Sequence, residues 1–256
     1  IIKKKMKKMK LAAIFAGLVS VFTFSSCLND GDSGPNYDLY EIVAVEDGSI
    51  FGGPVLKGDA WGYTYTPVAS SVLAGLKASD GSYYKRVQVG IKLMEGEAIT
   101  EGKKSYKVSE VGLIAILKYK DFNVQADTLK NEYALVSLED SNNKIWAING
   151  YVNVPFTFKT KEKLNMNDFH LYAVEAKEDT LVTRLRQTKG ADDAYQTGGT
   201  LISFHMPFND MEFRDIFDQV VPKSDTIVVK VTAKGENDKE LVSTVKCSAS
   251  NMQGSY

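Results

Sequence analysis

The chain has 256 residues, with 31 basic and 32 acidic side chains and a hydrophobic fraction of 44%. That apolar content, with charge so nearly balanced, excludes a disordered polyelectrolyte. Six lysines stand in the first ten positions, and setting them aside leaves 25 basic against 32 acidic groups. The remainder is therefore acidic by about seven charges, which argues against nucleic acid as a partner.

From the amino end, Lys3, Lys4, Lys5, Lys7, Lys8 and Lys10 precede an apolar run from Leu11 to Phe24. A charged region, a hydrophobic region and then small residues is the order of a signal peptide, whose start falls at Met6 or Met9. The run is about 14 residues, short of the roughly 20 that a membrane-spanning helix needs, so cleavage is expected. Ser25 and Ser26 before Cys27 resemble the lipobox of bacterial lipoproteins, although Phe24 stands where leucine is usual. That resemblance implies a lipidated Cys27 at the mature amino terminus and attachment to a membrane. Leu28 replaces the aspartate that retains some lipoproteins at the inner membrane, so the outer membrane of a Gram-negative envelope is expected. Asp30 and Asp32, among Gly31, Ser33, Gly34 and Pro35, read as a flexible tether. They also resemble an acidic tag for surface export.

Beyond the tether the pattern is β. Val87, Val89, Ile91 and Leu93 alternate with Arg86, Gln88, Gly90 and Lys92, which predicts a strand with one wet face. Trp146, Ile148, Val152, Val154, Phe156 and Phe158 share one parity, and Asn149, Asn153 and Thr157 the other. Ile227, Val229, Val231 and Ala233 repeat the alternation, and residues 234–239 turn the chain into a strand carrying Leu241, Ser243, Val245 and Cys247 on one face. Turns are expected at Asp47-Gly48, Asp80-Gly81, Ser141-Asn142-Asn143 and Gly198-Gly199. One segment has helical spacing: Phe213, Ile216, Phe217 and Val220, with Asp210 as cap and Pro222 as stop, predict a short core-plugging helix near 210–221. Periodicity weakens over 118–132, where a boundary is placed. The expected organisation is a signal peptide over 1–26, a tether over 27–36, a β-barrel over 37–122 and a β-sandwich over 123–251. If Cys27 carries lipid, Cys247 has no disulfide partner and reads as a buried, inert thiol.

The segments YDLYEIVAVEDGS, IWAINGYVNVPFTF, GGTLISFHMPFND and SDTIVVKVTAKGENDKE, together with the leader, resemble the NigD-like family of bacterial lipoproteins. The resemblance implies a mainly β protein: a small OB-like barrel followed by an antiparallel sandwich. It carries over no catalytic residue.

The residues favour no enzyme. His170 and His205 have no second ligand at metal spacing, and neither a metal nor a cofactor is expected. His205 falls on the wetter side of its strand. Nucleophile-elbow, Walker and dinucleotide motifs are absent from the sequence. Asp192 and Asp193 in a glycine-bounded loop, and Asp215 and Asp218 on the predicted helix, are the carboxylates that a hydrolase of extracellular glycans would use; solvated surface charge is the simpler reading. The aromatic set is more suggestive. Trp61, Tyr63 and Tyr65, at i, i+2 and i+4, would share one face of an extended strand. Such a face suits sugar rings or peptides, yet a small barrel also fills its interior this way. The expected function is a non-catalytic envelope lipoprotein that binds a glycan, a peptide or an envelope protein.

Overall fold

The computed structural model describes residues 36–46, 53–123, 131–139, 144–161, 165–189 and 196–252. The leader, Cys27, the tether as far as Pro35, the turns at Asp47-Gly48 and Ser141–Asn143, and Asp192 and Asp193 lie outside these residues. No helix among the described residues is long and apolar enough to cross a membrane.

Five strands close a barrel: β1 (Leu39–Glu46), β2 (Val55–Gly58), β3 (Thr64–Pro67), β4 (Arg86–Leu93) and β5 (Ser105–Ile116). Their order is β1-β2-β3-β5-β4, with β4 returning to β1. Only β3 and β5 run parallel. Val87, Val89 and Ile91 point inward with Leu39, Val43, Leu56 and Val108, as the alternation predicts. A 3-10 helix over Ser70–Leu76 adds Leu73 and Leu76 to this core. Gly90 pairs with Gly112 across β4 and β5, and the Tyr37 ring fills the space that two β-carbons would occupy.

The rest forms two sheets packed face to face. One contains β6 (Lys118–Asp121), β12 (Gln196–His205), β9 (Tyr151–Thr160) and β7 (Leu135–Ser137), with β8 (Trp146–Ile148) also on β9. The other has the order β10 (Phe169–Lys177), β11 (Thr180–Gln187), β13 (Thr226–Lys234), β14 (Glu240–Ser248). Val152, Val154, Phe156, Ile202 and Phe204 from the first sheet meet Leu171, Leu181, Leu185, Val229 and Val231 from the second in one core. Pairing is mostly antiparallel, but each sheet also holds one parallel pair, β12 with β6 and β11 with β13. The expected limit at residue 122 would leave β6 with the barrel, whereas its backbone pairs with β12.

Three local expectations change. The parity run from Trp146 to Phe158 is not one strand: Asn149 and Gly150, at φ 54° and 75°, form a tight hairpin turn between β8 and β9. Trp146 then pairs with Asn153 and Ile148 with Tyr151, so Trp146 and Ile148 lie on the face opposite Val152 and Val154. Gly198-Gly199 is no turn but sits inside β12, where a β-carbon on Gly198 would crowd the Phe158 ring. Arg86 and Asn153, expected on wet faces, are fully buried, because Arg86, the first residue of β4, reaches across to Asn153 of β9.

The helix is present, shorter than predicted. Asp210 accepts from the Phe213 amide at 3.1 Å and caps α1 (Met211–Phe217), which buries Phe213 and Phe217 in the sandwich core. The chain leaves the helix after Asp218, and Val221 donates instead to Glu178 at 2.7 Å, yet Val220 still reaches the same core. Residues 234–239 turn the chain as predicted, and Cys247 is buried on β14, its thiol pushed up to about 12 by burial.

Candidate functional site

The turn joining β2 to β3 is short and turns on Gly62, at φ 63°. It carries three kinds of group in succession: Asp59, the Ala60 amide, and the aromatics Trp61 and Tyr63. Strand β3 starts only at Thr64, so the expected five-residue aromatic strand is a turn followed by a strand. Tyr65 is 0% exposed and belongs to the barrel interior. Trp61 and Tyr63 are half-buried at the rim, their rings stacked at 5.7 Å and 21°. Tyr63 also meets Tyr106 of β5 at 5.0 Å, and Tyr65 lies 6.3 Å from both. The three predicted aromatics thus converge with Tyr106 in one cluster, with Trp61 and Tyr63 outermost.

Two lysines border this cluster. Lys104 donates to the Trp61 carbonyl at 3.1 Å and stands 5.3 Å from the Tyr63 ring centroid. Lys103 lies 5.0 Å from the Tyr106 centroid and pairs with Glu97. Cations over aromatic faces are attracted to the ring quadrupole, and here they help fix the rings.

Beneath the rings sits Glu41. It occupies an inward position on β1, in register with Leu39, Val43 and Val45, and is 4% exposed. Its Oε2 accepts from the Tyr65 hydroxyl at 2.5 Å and its Oε1 from the Ala60 amide at 2.7 Å. A β-carbon on Gly58 would stand on the carboxyl, so the glycine provides its room. Burial raises the Glu41 pKa to about 7, against the lowering effect of the Tyr65 and Ala60 hydrogen bonds. Burial, with Glu41 beside it, drives Tyr65 well above the ordinary phenol range.

Behind the turn lies the contact between barrel and sandwich. Arg86 is 0% exposed and holds Asp59 through both terminal nitrogens, at 2.9 and 2.5 Å. It also donates to Asn153 at 2.9 Å and lies 4.6 Å from the Tyr151 ring centroid. Asp59 accepts further from the Trp146 indole at 2.8 Å and from Asn149 at 3.2 Å. A single aspartate on the aromatic turn therefore binds barrel strand β4 and sandwich hairpin β8–β9 at once.

The remaining predicted candidates do not converge. His205 is partly exposed, as its strand parity predicts, with Nδ1 3.0 Å from Asp121. His170 lies elsewhere, its Nδ1 approached by Asn123 at 3.0 Å and Lys120 at 3.3 Å, and burial lowers its pKa. Asp215 and Asp218 are exposed on and just after α1. Among the described residues no group of three or more His, Cys, Asp or Glu could hold a metal ion. Sequence reasoning missed Glu41, Tyr106, Asp59 and Arg86. Glu41 did leave a signal, a lone carboxylate at the apolar parity of LYEIVAVE; Arg86 left none, since it alternates like a solvent-facing residue.

No family model and no curated protein matches the chain. Solved structures do. A protein of Parabacteroides distasonis ATCC 8503 described as toxin-related is similar at TM-score 0.51 and 16% identity, over 84% of this chain and 96% of that one. An uncharacterized protein of Parabacteroides merdae ATCC 43184 gives 0.53 at 12% identity, over 82% and 99%. A NigD-like immunity protein of Bacteroides caccae ATCC 43185 gives 0.42 at 15% identity, over 86% and 99%. At these identities the first two show a shared fold and nothing more; the third, at its score, carries no argument.

Proposed function

We propose that the chain is a non-catalytic lipoprotein of the cell envelope, anchored through Cys27 at the outer membrane of a Gram-negative bacterium, whose barrel binds a glycan, a peptide or an envelope protein. The observation that carries the binding reading is the rim cluster. Trp61 and Tyr63 are half-buried, mutually stacked, and backed by Tyr65, Tyr106 and Lys104. Rings immobilised before a ligand arrives lose little entropy on binding it, which is how aromatic platforms gain affinity. The turn that bears them is itself clamped to the sandwich by Asp59.

The experiment is a screen of the Cys27→Ser chain against glycan and peptide arrays, followed by Trp61→Ala and Tyr63→Ala. A ligand of this site should lose tenfold or more in affinity in either variant. Ligands whose affinity neither substitution alters would move the binding face elsewhere.

The alternative, a carboxylate-dependent hydrolase of extracellular glycans, needs two carboxyls facing each other across a cleft. Asp215 and Asp218 lie exposed on the surface, and Glu41 is sealed beneath the turn with both oxygens engaged. Nothing among the described residues favours that reading.

A further inference from the structure

A carboxyl inside a small apolar barrel is expensive to bury as an anion. The charge acting on Glu41 is that of Asp59, of like sign, and no cation among the described residues offsets its burial in the way Arg86 offsets that of Asp59. The groups facing it are the Tyr65 hydroxyl from β3 and the Ala60 and Trp61 amides from the turn, with the phenol of Tyr63 close enough to feel its charge. Every one of these belongs to the segment that presents the aromatic rim.

We propose that protonation of Glu41 governs how firmly residues 60–63 of the turn, and with them Trp61 and Tyr63, are held on the barrel, Asp59 staying in its clamp with Arg86. Closed, the turn keeps Glu41 out of water and hangs on it through Ala60. Opened, it would let water reach the carboxyl, which then ionises freely. Raising the pH therefore favours the open turn, because the open carboxyl gives up its proton at a pH where the closed one still holds it. The proposal rests on the binding reading of the rim for its use, namely that low pH holds the aromatic platform ready and high pH loosens it.

The sign follows from linkage. The carboxyl titrates at about 7 when closed and near the ordinary 4.5 when hydrated. Between those values the ratio of open to closed turn grows about tenfold per pH unit, and it levels off above the upper one.

Amide hydrogen exchange of the full-length chain with Cys27→Ser tests this without any ligand. Intrinsic exchange already rises tenfold per pH unit, so the Ala60 and Trp61 amides should rise about a hundredfold per unit between pH 5 and 7. In Glu41→Gln, a neutral near-isostere, they should rise only tenfold. The Gln219 amide, which bonds to Ile216 at the exposed end of α1 and opens locally, away from Glu41, should rise tenfold in both. A tenfold rise at Ala60 in the unsubstituted turn overturns the proposal. So does exchange at Ala60 no faster, relative to its intrinsic rate, than at the core amide of Val229, which would assign the effect to global unfolding. Should Glu41→Gln not fold, the carbon-13 shift of the Glu41 carboxyl decides: titration near 7 supports the proposal and titration near 4.5 sinks it. Since no ligand enters, failure here leaves the binding reading to the array screen.

Discussion

Arg86 shows most clearly how one residue depends on its surroundings. A guanidinium taken fully out of water is tolerated only with its partners in place: Asp59 bidentate, Asn153, and the Tyr151 face. Breaking such a pair leaves the other charge buried and alone, at about 3–5 kcal/mol. Asp59→Ala and Arg86→Ala should each lower the stability measured by urea unfolding by about that much. The double variant Asp59→Leu with Arg86→Met should recover a large part of the loss, since it buries no charge; a fully additive loss would show that the pair is not coupled. Glu41 is the opposite case, a buried carboxyl whose folded pKa is raised rather than lowered. Its contribution to stability is complete below pH 4.5 and is lost as pH rises through about 7. Glu41→Gln should therefore match the wild type at pH 4.5 and exceed it at pH 8, by at most about 3 kcal/mol. Thermal unfolding at the two pH values measures that difference.

Among the elements, α1 tests how a short helix persists. Seven residues are too few for intrinsic helicity to sustain it, so packing and capping must do so. Phe213 is fully buried, in ring contact with Phe122, Phe208 and Phe217. Phe213→Ala should cost about 3–5 kcal/mol in chemical denaturation, whereas Asp210→Ala, which loses only the cap, should cost about 1 kcal/mol. Equal losses would mean that the stripe is not the helix's main support. The stripe and cap were readable because both are local in sequence. The β8–β9 hairpin was not read, although Asn149-Gly150 is a strong turn dipeptide: a two-residue turn reverses which parity faces which side, and the alternation on either flank stays uninterrupted in the letters.

At the scale of the whole molecule, the junction joins two cores that would otherwise be separate. The barrel core and the sandwich core share no residue, and Arg86, Asp59, Trp146, Asn149 and Asn153 bridge them. A charged network buried between two units couples their unfolding, because opening either one strands the other's polar groups. Calorimetry should therefore show one transition for the wild type and two for Asp59→Ala, with the sandwich surviving to the higher temperature; two transitions in the wild type would refute the coupling. For the proposed anchor, a fatty-acid analogue should label the wild type, and Cys27→Ser should release the protein from membranes. Retention of that variant on membranes would rule the anchor out.

The sequence alone determined what nearest neighbours along the chain dictate. Alternation marked β4 and β13, helical spacing and an aspartate cap marked α1, and the apolar parity placed Cys247 on the inner face of β14. A resemblance between segments led to a barrel followed by a sandwich, and five closed strands and two packed sheets are what the chain forms. Only the tertiary structure decided which second faces are covered. Arg86 and Asn153 alternate as solvent-facing residues do, and become core because the start of β4 in the barrel comes within side-chain reach of β9 in the sandwich. Tyr65 reads like its neighbours Trp61 and Tyr63, yet it alone points into the barrel, because the chain turns at Gly62 before β3 begins. The physical reason is the same in each case: a side chain's periodicity records the direction in which it leaves the backbone, while its burial, partners and charge depend on what distant segments the fold brings to meet it.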